Sequence, residues 1–217
     1  MEVTRILAIR HGETAWNVDG RIQGHLDIAL NDAGREQARR LALALAQGTE
    51  TIDRIYSSDL ARALQTAQAV ADATGAPLTA NTALRERCFG ALQGRSFAEV
   101  AAADPELGER WRRRQPDWVP PGPGGESLLL FQERIALAVR GLAAESIGKT
   151  IAIVTHGGVL DLLYRLATGL GLQDARSWQL GNAAVNRLLC TPEGSLSLIG
   201  WADDGHLEDE SLDENTS

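Results

Sequence analysis

Cysteine is scarce in this chain, and long apolar runs are missing. Only Cys88 and Cys190 are present among 217 residues. Two thiols do not make a disulfide framework, which agrees with a reducing cytosol and predicts a cytoplasmic protein. No apolar run reaches the ~20 residues needed to span a bilayer. The opening Met-Glu-Val-Thr-Arg enters a strand pattern at once, without the basic start and apolar stretch of a signal peptide, so no membrane partner is expected. No Pro/Gly/Ser linker divides the chain, and no tandem repeat is visible. An even spread of charge is missing too. Seven acids lie between Asp203 and Glu214, and without them the formal charge moves from −8 to −1. A nearly neutral body gives no case for a nucleic-acid partner, and residues 202–217 read as a solvated acidic tail.

What is present is an ordinary soluble globule, 44% apolar and 23% charged. Strands are predicted at 3–10, 53–57, 149–155, 184–191 and 195–201, the last two joined by a turn through Pro192, Glu193 and Gly194. Helices are predicted at 32–47, 60–73, 127–145 and 157–168, with Asn31 or Asp32 capping the first. Residues 84–126 are irregular, with short helices near 96–103 and 105–113 and a loop from Pro116 to Gly125. Alternating strands and helices predict an α/β fold: a three-layer α/β/α sandwich with a mostly parallel sheet. One domain over 1–201 is expected, with 84–126 as a small cap over the sheet edge.

The most informative pattern occurs twice. Arg5 to Gly12 is an apolar run ending in Arg-His-Gly, and Thr150 to Gly157 is one ending in Thr-His-Gly. The chain has four histidines, and two of them, His11 and His156, sit in this setting. Uninterrupted apolar runs read as strands buried on both faces. If the two are parallel in one sheet, both imidazoles emerge at its carboxyl edge, where open α/β sheets bind ligands. A neutral imidazole is a good nucleophile near pH 7, and the guanidinium of Arg10 beside it offers paired donors to a phosphate. The glycine-rich loop Gly20-Arg-Ile-Gln-Gly-His25, with Gln23 and Gly24, and the later Arg62 at a strand-to-helix turn, suit an anion held over His11.

These residues carry a resemblance. Arg-His-Gly-Glu-Thr at 10–14, Asn17, the 20–25 loop and Ser-Asp-Leu-Ala-Arg-Ala-Leu-Gln-Thr-Ala at 58–67 follow one another in the order of the histidine phosphatase superfamily, in its phosphoglycerate-mutase-like branch. Leu-Arg-Glu at 84–86, Phe-Gly at 89–90, Gly-Gly-Glu-Ser at 124–127 and Thr-His-Gly-Gly at 155–158 continue it. The resemblance implies that His11 attacks phosphorus and becomes a phosphohistidine. Arg10, Arg62 and His156 would hold the equatorial oxygens, assisted by Asn17 and the Gly157 amide. Glu86 would protonate the leaving oxygen and later activate water. It implies a small phosphorylated metabolite as partner, no metal or other cofactor, and admits a homodimer.

Three activities fit that core. A phosphatase would release phosphate; a mutase would use 2,3-bisphosphoglycerate as cofactor and return the phosphoryl group; a binding module would do neither. Mutases of this family carry a longer insertion, with Tyr after the Arg that follows the acid and a lysine soon after. Here the stretch reads Arg87-Cys88-Phe89-Gly90, and Lys149 is the only lysine. Phe89 cannot donate a hydrogen bond, which favours the phosphatase. Trp111-Arg112-Arg113-Arg114 before Pro120-Pro121 speaks for the mutase, since those arginines could take a substrate carboxylate. Cys88, His25 and His206 are expected to be bystanders, and Trp111 and Trp118 to pack the cap, where an aromatic could also line a substrate pocket.

Overall fold

The computed structural model describes residues 2–208. Residues 209–217 of the expected acidic tail lie outside the described residues. Strand β1 (Thr4–Arg10) is apolar and buried on both faces, as is β4 (Thr150–Thr155). They pair in parallel, from Arg5 opposite Thr150 to Arg10 opposite Thr155. This register alone puts His11 and His156 side by side at the carboxyl edge.

The remaining strands are β2 (Arg54–Ser57), β3 (Leu78–Ala80), β5 (Val185–Cys190) and β6 (Leu196–Asp203). The six-stranded order is β3-β2-β4-β1-β5-β6. Only the pairings of β5, with β1 and with β6, are antiparallel. The sheet is thus mostly parallel, as expected. Helices α2 (Asp32–Gln47) and α3 (Ala61–Thr74) cover one face, burying Leu7, Ile9, Ile55 and Val154. Helices α6 (Leu128–Ala144) and α7 (Gly157–Thr168) cover the other, burying Ile6, Ala8, Ile151 and Ile153. The alternation along β1 sends successive side chains to opposite cores.

Helix limits follow local chemistry. Asn31 rather than Asp32 caps α2, its side chain accepting from the Gly34 N–H. Gly75 (φ +73°) and Gly169 (φ +74°) take the left-handed conformation that ends α3 and α7. In the 84–126 segment, α4 (Phe97–Ala103) starts with a Ser96/Glu99 capping box, and α5 (Pro105–Arg112) with Asp104 as cap and Pro105 in its first turn.

Two elements escaped the sequence reading. Helix α1 (Ala15–Val18) is a single turn held by a Thr14/Asn17 capping box, too short to show a period. Strand β3 has three residues on the sheet edge and no apolar run to mark it. The last strand also reaches beyond the expected end at 201. It runs to Asp203, and a 3₁₀ turn at Gly205–Leu207 packs back, with Arg40 donating to the Leu207 carbonyl (3.1 Å). Among the described residues, no helix is long and apolar enough to cross a membrane.

Candidate active site

Where β1 and β4 end, the His11 N–H donates to the Thr155 carbonyl (2.9 Å). The rings of His11 and His156 lie 5.3 Å apart, inclined at 60°. Both are buried. Nδ1 of His11 sits 2.7 Å from the Gly12 carbonyl, and a carbonyl only accepts. Nδ1 therefore carries the proton and Nε2 keeps its lone pair. Burial, reinforced by Arg10 and Arg62, holds the His11 pKa well below 6.5. Burial likewise lowers that of His156, with Arg62 and His11 adding to it. Both imidazoles are neutral at physiological pH. Gly12 is required by packing, because a Cβ there would meet the Gly34 carbonyl oxygen at 2.4 Å.

Arg62 occupies the first turn of α3 and is only 1% exposed. Its Nη1 and Nη2 donate to the carbonyls of Leu26 (2.9 Å) and Gly24 (2.8 Å), while Nε has no partner. Burial pulls its pKa down to about 10, so it stays cationic. Arg10 donates to the Leu180 carbonyl, and its buried Nε is likewise unpaired. Neither guanidinium forms a salt bridge among the described residues, although buried charges are ordinarily paired. Two such cations beside a pair of imidazoles form a site for an anion.

Glu86 stands at the start of α7. Its Oε2 accepts the Gly158 N–H (2.8 Å) and its Oε1 the Arg87 N–H (2.8 Å). A Cβ on Gly158 would fall 2.2 Å from Glu86 Oε1, so any larger residue there would push the carboxylate away from the start of the helix. A surface ion pair of Glu86 with Arg85 or Arg87 is excluded. The Arg85 guanidinium pairs with Asp59 (2.7 Å), and that of Arg87 donates to the carbonyls of Glu126 and Trp118. The Glu86 backbone carbonyl accepts from His25 Nε2 (2.8 Å) and Arg134 Nη2 (3.2 Å). His25, expected to be a bystander, thus braces the residue that carries the carboxyl group. Its place in the 20–25 motif was the available signal; Arg134 had none.

The other expected ligand groups fall into two sets. Gly157 lies beside Arg10, and Asn17 is linked through Asn182 to the backbone of His11. Asn17 Oδ1 accepts the Thr14 N–H (3.0 Å) and Asn182 Nδ2 (3.4 Å), and Asn182 also donates to the His11 carbonyl (2.9 Å). Gly157 opens α7 beside the Arg10 guanidinium. Gln23 is buried with Oε1 unpaired. Gly24 instead serves Arg62 through its carbonyl. Its φ of +52° favours glycine, and a Cβ would meet Gln93 Oε1 at 2.0 Å.

A cleft of about 570 Å³ opens from Arg10, Gly157 and Glu86 toward the 84–126 segment. Phe89 and Trp111 stack there (5.0 Å, 8°), and both line the cleft with Trp118. The tryptophans therefore form cleft wall as well as packing. Arg112 and Arg113 point away, pairing with Glu109 at the surface.

A mostly parallel α/β sheet that presents two neutral histidines, a buried and a half-buried arginine and a carboxylate at its carboxyl edge defines a phosphoryl-transfer protein. The chain belongs to the histidine phosphatase superfamily (branch 1), whose profile matches residues 6–204. It is 37% identical over 211 residues to phosphoglycerate mutase-like protein 4 of Arabidopsis thaliana, covering 96% of this chain and 89% of the relative. Identity is also 37% to the metal-independent phosphoserine phosphatase of that plant, covering 95% and 84%. Among solved structures, Bacillus stearothermophilus YhfR superposes with a TM-score of 0.84 at 30% identity, over 94% of this chain and 100% of the other. Phosphoserine phosphatase from Entamoeba histolytica, in complex with 3-phosphoglyceric acid, superposes with a TM-score of 0.81 at 29% identity, over 94% and 100%. The protein is a phosphoric monoester hydrolase of the histidine phosphatase type.

Proposed function

We propose that this chain hydrolyses a small phosphorylated metabolite in two steps through a phosphohistidine at His11, with no metal or organic cofactor. The observation that carries the reading is the tautomer of His11: the Gly12 carbonyl holds the proton on Nδ1, so Nε2 is the nucleophile. In the first step, Nε2 attacks phosphorus, the P–O ester bond breaks, and Glu86 gives its proton to the departing oxygen. In the second, Glu86 takes a proton from water, the water oxygen attacks phosphorus, and the P–N bond breaks to release phosphate. The two easier steps replace one harder one.

Arg10, Arg62 and His156 stabilise the charge that gathers on the equatorial oxygens. Ser58 Oγ lies 2.8 Å from His156 Nε2. A Ser58 hydroxyl donating there leaves Nδ1–H of His156, the buried nitrogen without a partner, to face the phosphoryl group. The amide nitrogen of Asn17, whose oxygen is committed to Thr14 and Asn182, and the Gly157 N–H assist. Two free, buried cysteines support the cytoplasmic placement. The metal-independent relative supports the absence of a cofactor, and homodimer formation is the family expectation. Phe89, stacked on Trp111 and without a hydroxyl, supports phosphatase over mutase.

The test measures phosphate release and isomer conversion from 3-phosphoglycerate, with and without 2,3-bisphosphoglycerate, beside p-nitrophenyl phosphate and phosphoserine. Rapid quench with ³²P-labelled substrate follows the protein. The expected result is phosphate release without conversion, and an acid-labile phosphoprotein that His11→Ala abolishes. Cofactor-stimulated conversion to 2-phosphoglycerate would make the chain a mutase, and label retained in the His11→Ala protein would remove His11 as nucleophile.

A further inference from the structure

The cleft continues past the phosphoryl site, and its far wall is formed in part by the connection from α7 to β5. We propose that the leaving group of the substrate carries a carboxylate, held by Arg176 and the indole N–H of Trp178 on this connection. The proposal rests on the phosphatase reading above and names the substrate class that the cleft accepts.

Arginines reach the cleft at four places: Arg10, Arg87, Arg114 and Arg176. Arg10 belongs to the phosphoryl site. Arg87 is buried, donates to two backbone carbonyls, and lies over the rings of Phe89 and Trp118. Arg114 donates to Asp161 (2.7 Å) and to the Leu172 carbonyl (2.7 Å). The same Asp161 oxygen serves the fully buried Arg165 (3.0 Å), so this acid is neutralised within the wall. Arg176 alone is exposed and has no acidic partner among the described residues. Its charge is near enough to act on Arg10, whose pKa is lowered chiefly by burial, raised in part by Glu86 and lowered further by Arg176.

Trp178 supplies an independent observation. It lines the cleft, is 8% exposed, and its buried N–H has no acceptor. Stacking on Tyr164 (4.0 Å, 16°) and the Arg165 guanidinium over its ring (4.8 Å) hold the indole in place. A buried donor without an acceptor is a cost that a ligand can remove. A planar guanidinium and a single N–H offer only donors, which an acceptor-only carboxylate satisfies. The other unpaired buried atom of this wall, Asp161 Oδ1, is an acceptor and suits a hydroxyl or ammonium on the same leaving group.

The test uses two matched pairs that differ in the carboxylate and keep the neighbouring donor: phosphoserine with phosphoethanolamine, and 3-phosphoglycerate with glycerol 3-phosphate. The full-length enzyme is expected to prefer the acid in both pairs. Arg176→Gln should cut that preference about tenfold, chiefly through KM, as expected for a lost charge-assisted bond. Trp178→Phe, which keeps the ring, should cut it about threefold for one neutral donor. Arg113→Gln, on the solvent face, should leave the preference where it was. No preference for the acids in the wild-type enzyme, or equal losses on both members of each pair in Arg176→Gln, would overturn the proposal while p-nitrophenyl phosphate turnover keeps the phosphatase reading. Loss of p-nitrophenyl phosphate turnover in the wild type would bring down both.

Discussion

The two halves of the cleft are built in different ways. On the phosphoryl side, Arg10, His11 and His156 stand on the ends of adjacent strands, and their positions follow from a backbone register. Arg62 is held by two carbonyls of the loop before α2. On the leaving-group side, the first turns of α6 and α7 are joined by the 84–126 segment and the connection from α7 to β5, which are tied to the body by side chains such as Arg114 to Asp161. Where the charge distribution of the reaction is the same for every phosphate ester, the protein uses its stiffest parts. Where substrates differ, it uses segments whose replacement leaves the sheet intact. The halves meet at Glu86, whose carboxyl group caps α7 while its backbone is held by His25 and Arg134. The 20–25 loop is also stitched to the 84–126 segment: the Ile22 N–H donates to the Arg95 carbonyl (2.9 Å), the Gly94 N–H to the Ile22 carbonyl (2.8 Å), and the His25 N–H to Gln93 Oε1 (2.7 Å).

The comparison can be broken first at His11. His11→Ala removes the proposed nucleophile, and turnover of every ester should fall by on the order of 10⁴-fold or more, measured as steady-state phosphate release. A loss that varies widely with the leaving group would contradict the separation of the halves. Next comes Glu86→Gln, which should slow alkyl phosphates by about 10²–10³-fold and p-nitrophenyl phosphate far less, since nitrophenolate leaves without a proton. Equal losses on both substrates would remove Glu86 as the acid.

Gly158→Ala should give a weaker copy of that selectivity, of about tenfold on alkyl esters, as expected when a positioned group is displaced. Here the Cβ pushes Glu86 aside, and because alanine suits a helix, unfolding by urea should show no matching loss of stability. The fourth test concerns the wall itself. Asp161→Ala leaves the buried Arg165 without its counter-ion and should destabilise the fold by about 3 kcal/mol in denaturant titration. An unchanged midpoint would show that the backbone carbonyls of Gly171 and Asp174 suffice for Arg165.

The smallest effect is on stability against pH. Both site histidines have folded-state pKa values below the unfolded value of about 6.5, so below that pH the unfolded chain binds more protons. Stability should be full above about pH 6.5 and decline on acidification, by at most about 1.4 kcal/mol per pH unit for each histidine. Melting temperatures from pH 7.5 to 5 check this, and His156→Gln should flatten the decline. A melting temperature that rises on acidification would reverse the sign.

Sequence by itself determined five of the six strands, the helices longer than one turn, and the two histidines of the phosphoryl half. Apolar runs and helical spacing are local, and His11 and His156 follow their strands directly, so the periodicity that marks a strand also places its histidine. Arg62 was marked by its strand-to-helix turn and strengthened by the family resemblance, whereas Glu86 came from the resemblance, since nothing local separates it from a surface acid. Tertiary structure decided the rest. The tautomer of His11, the neutrality of both imidazoles and the orphaned Nε atoms of Arg10 and Arg62 depend on burial, which no short segment encodes. The pairing of Glu86 with Gly158, the bracing by His25 and Arg134, and the contrast between the tied Arg114 and the unpaired Arg176 join residues far apart in the chain. Such contacts exist only once the sheet is assembled, because charge and hydrogen bonding act through space while a sequence records only order.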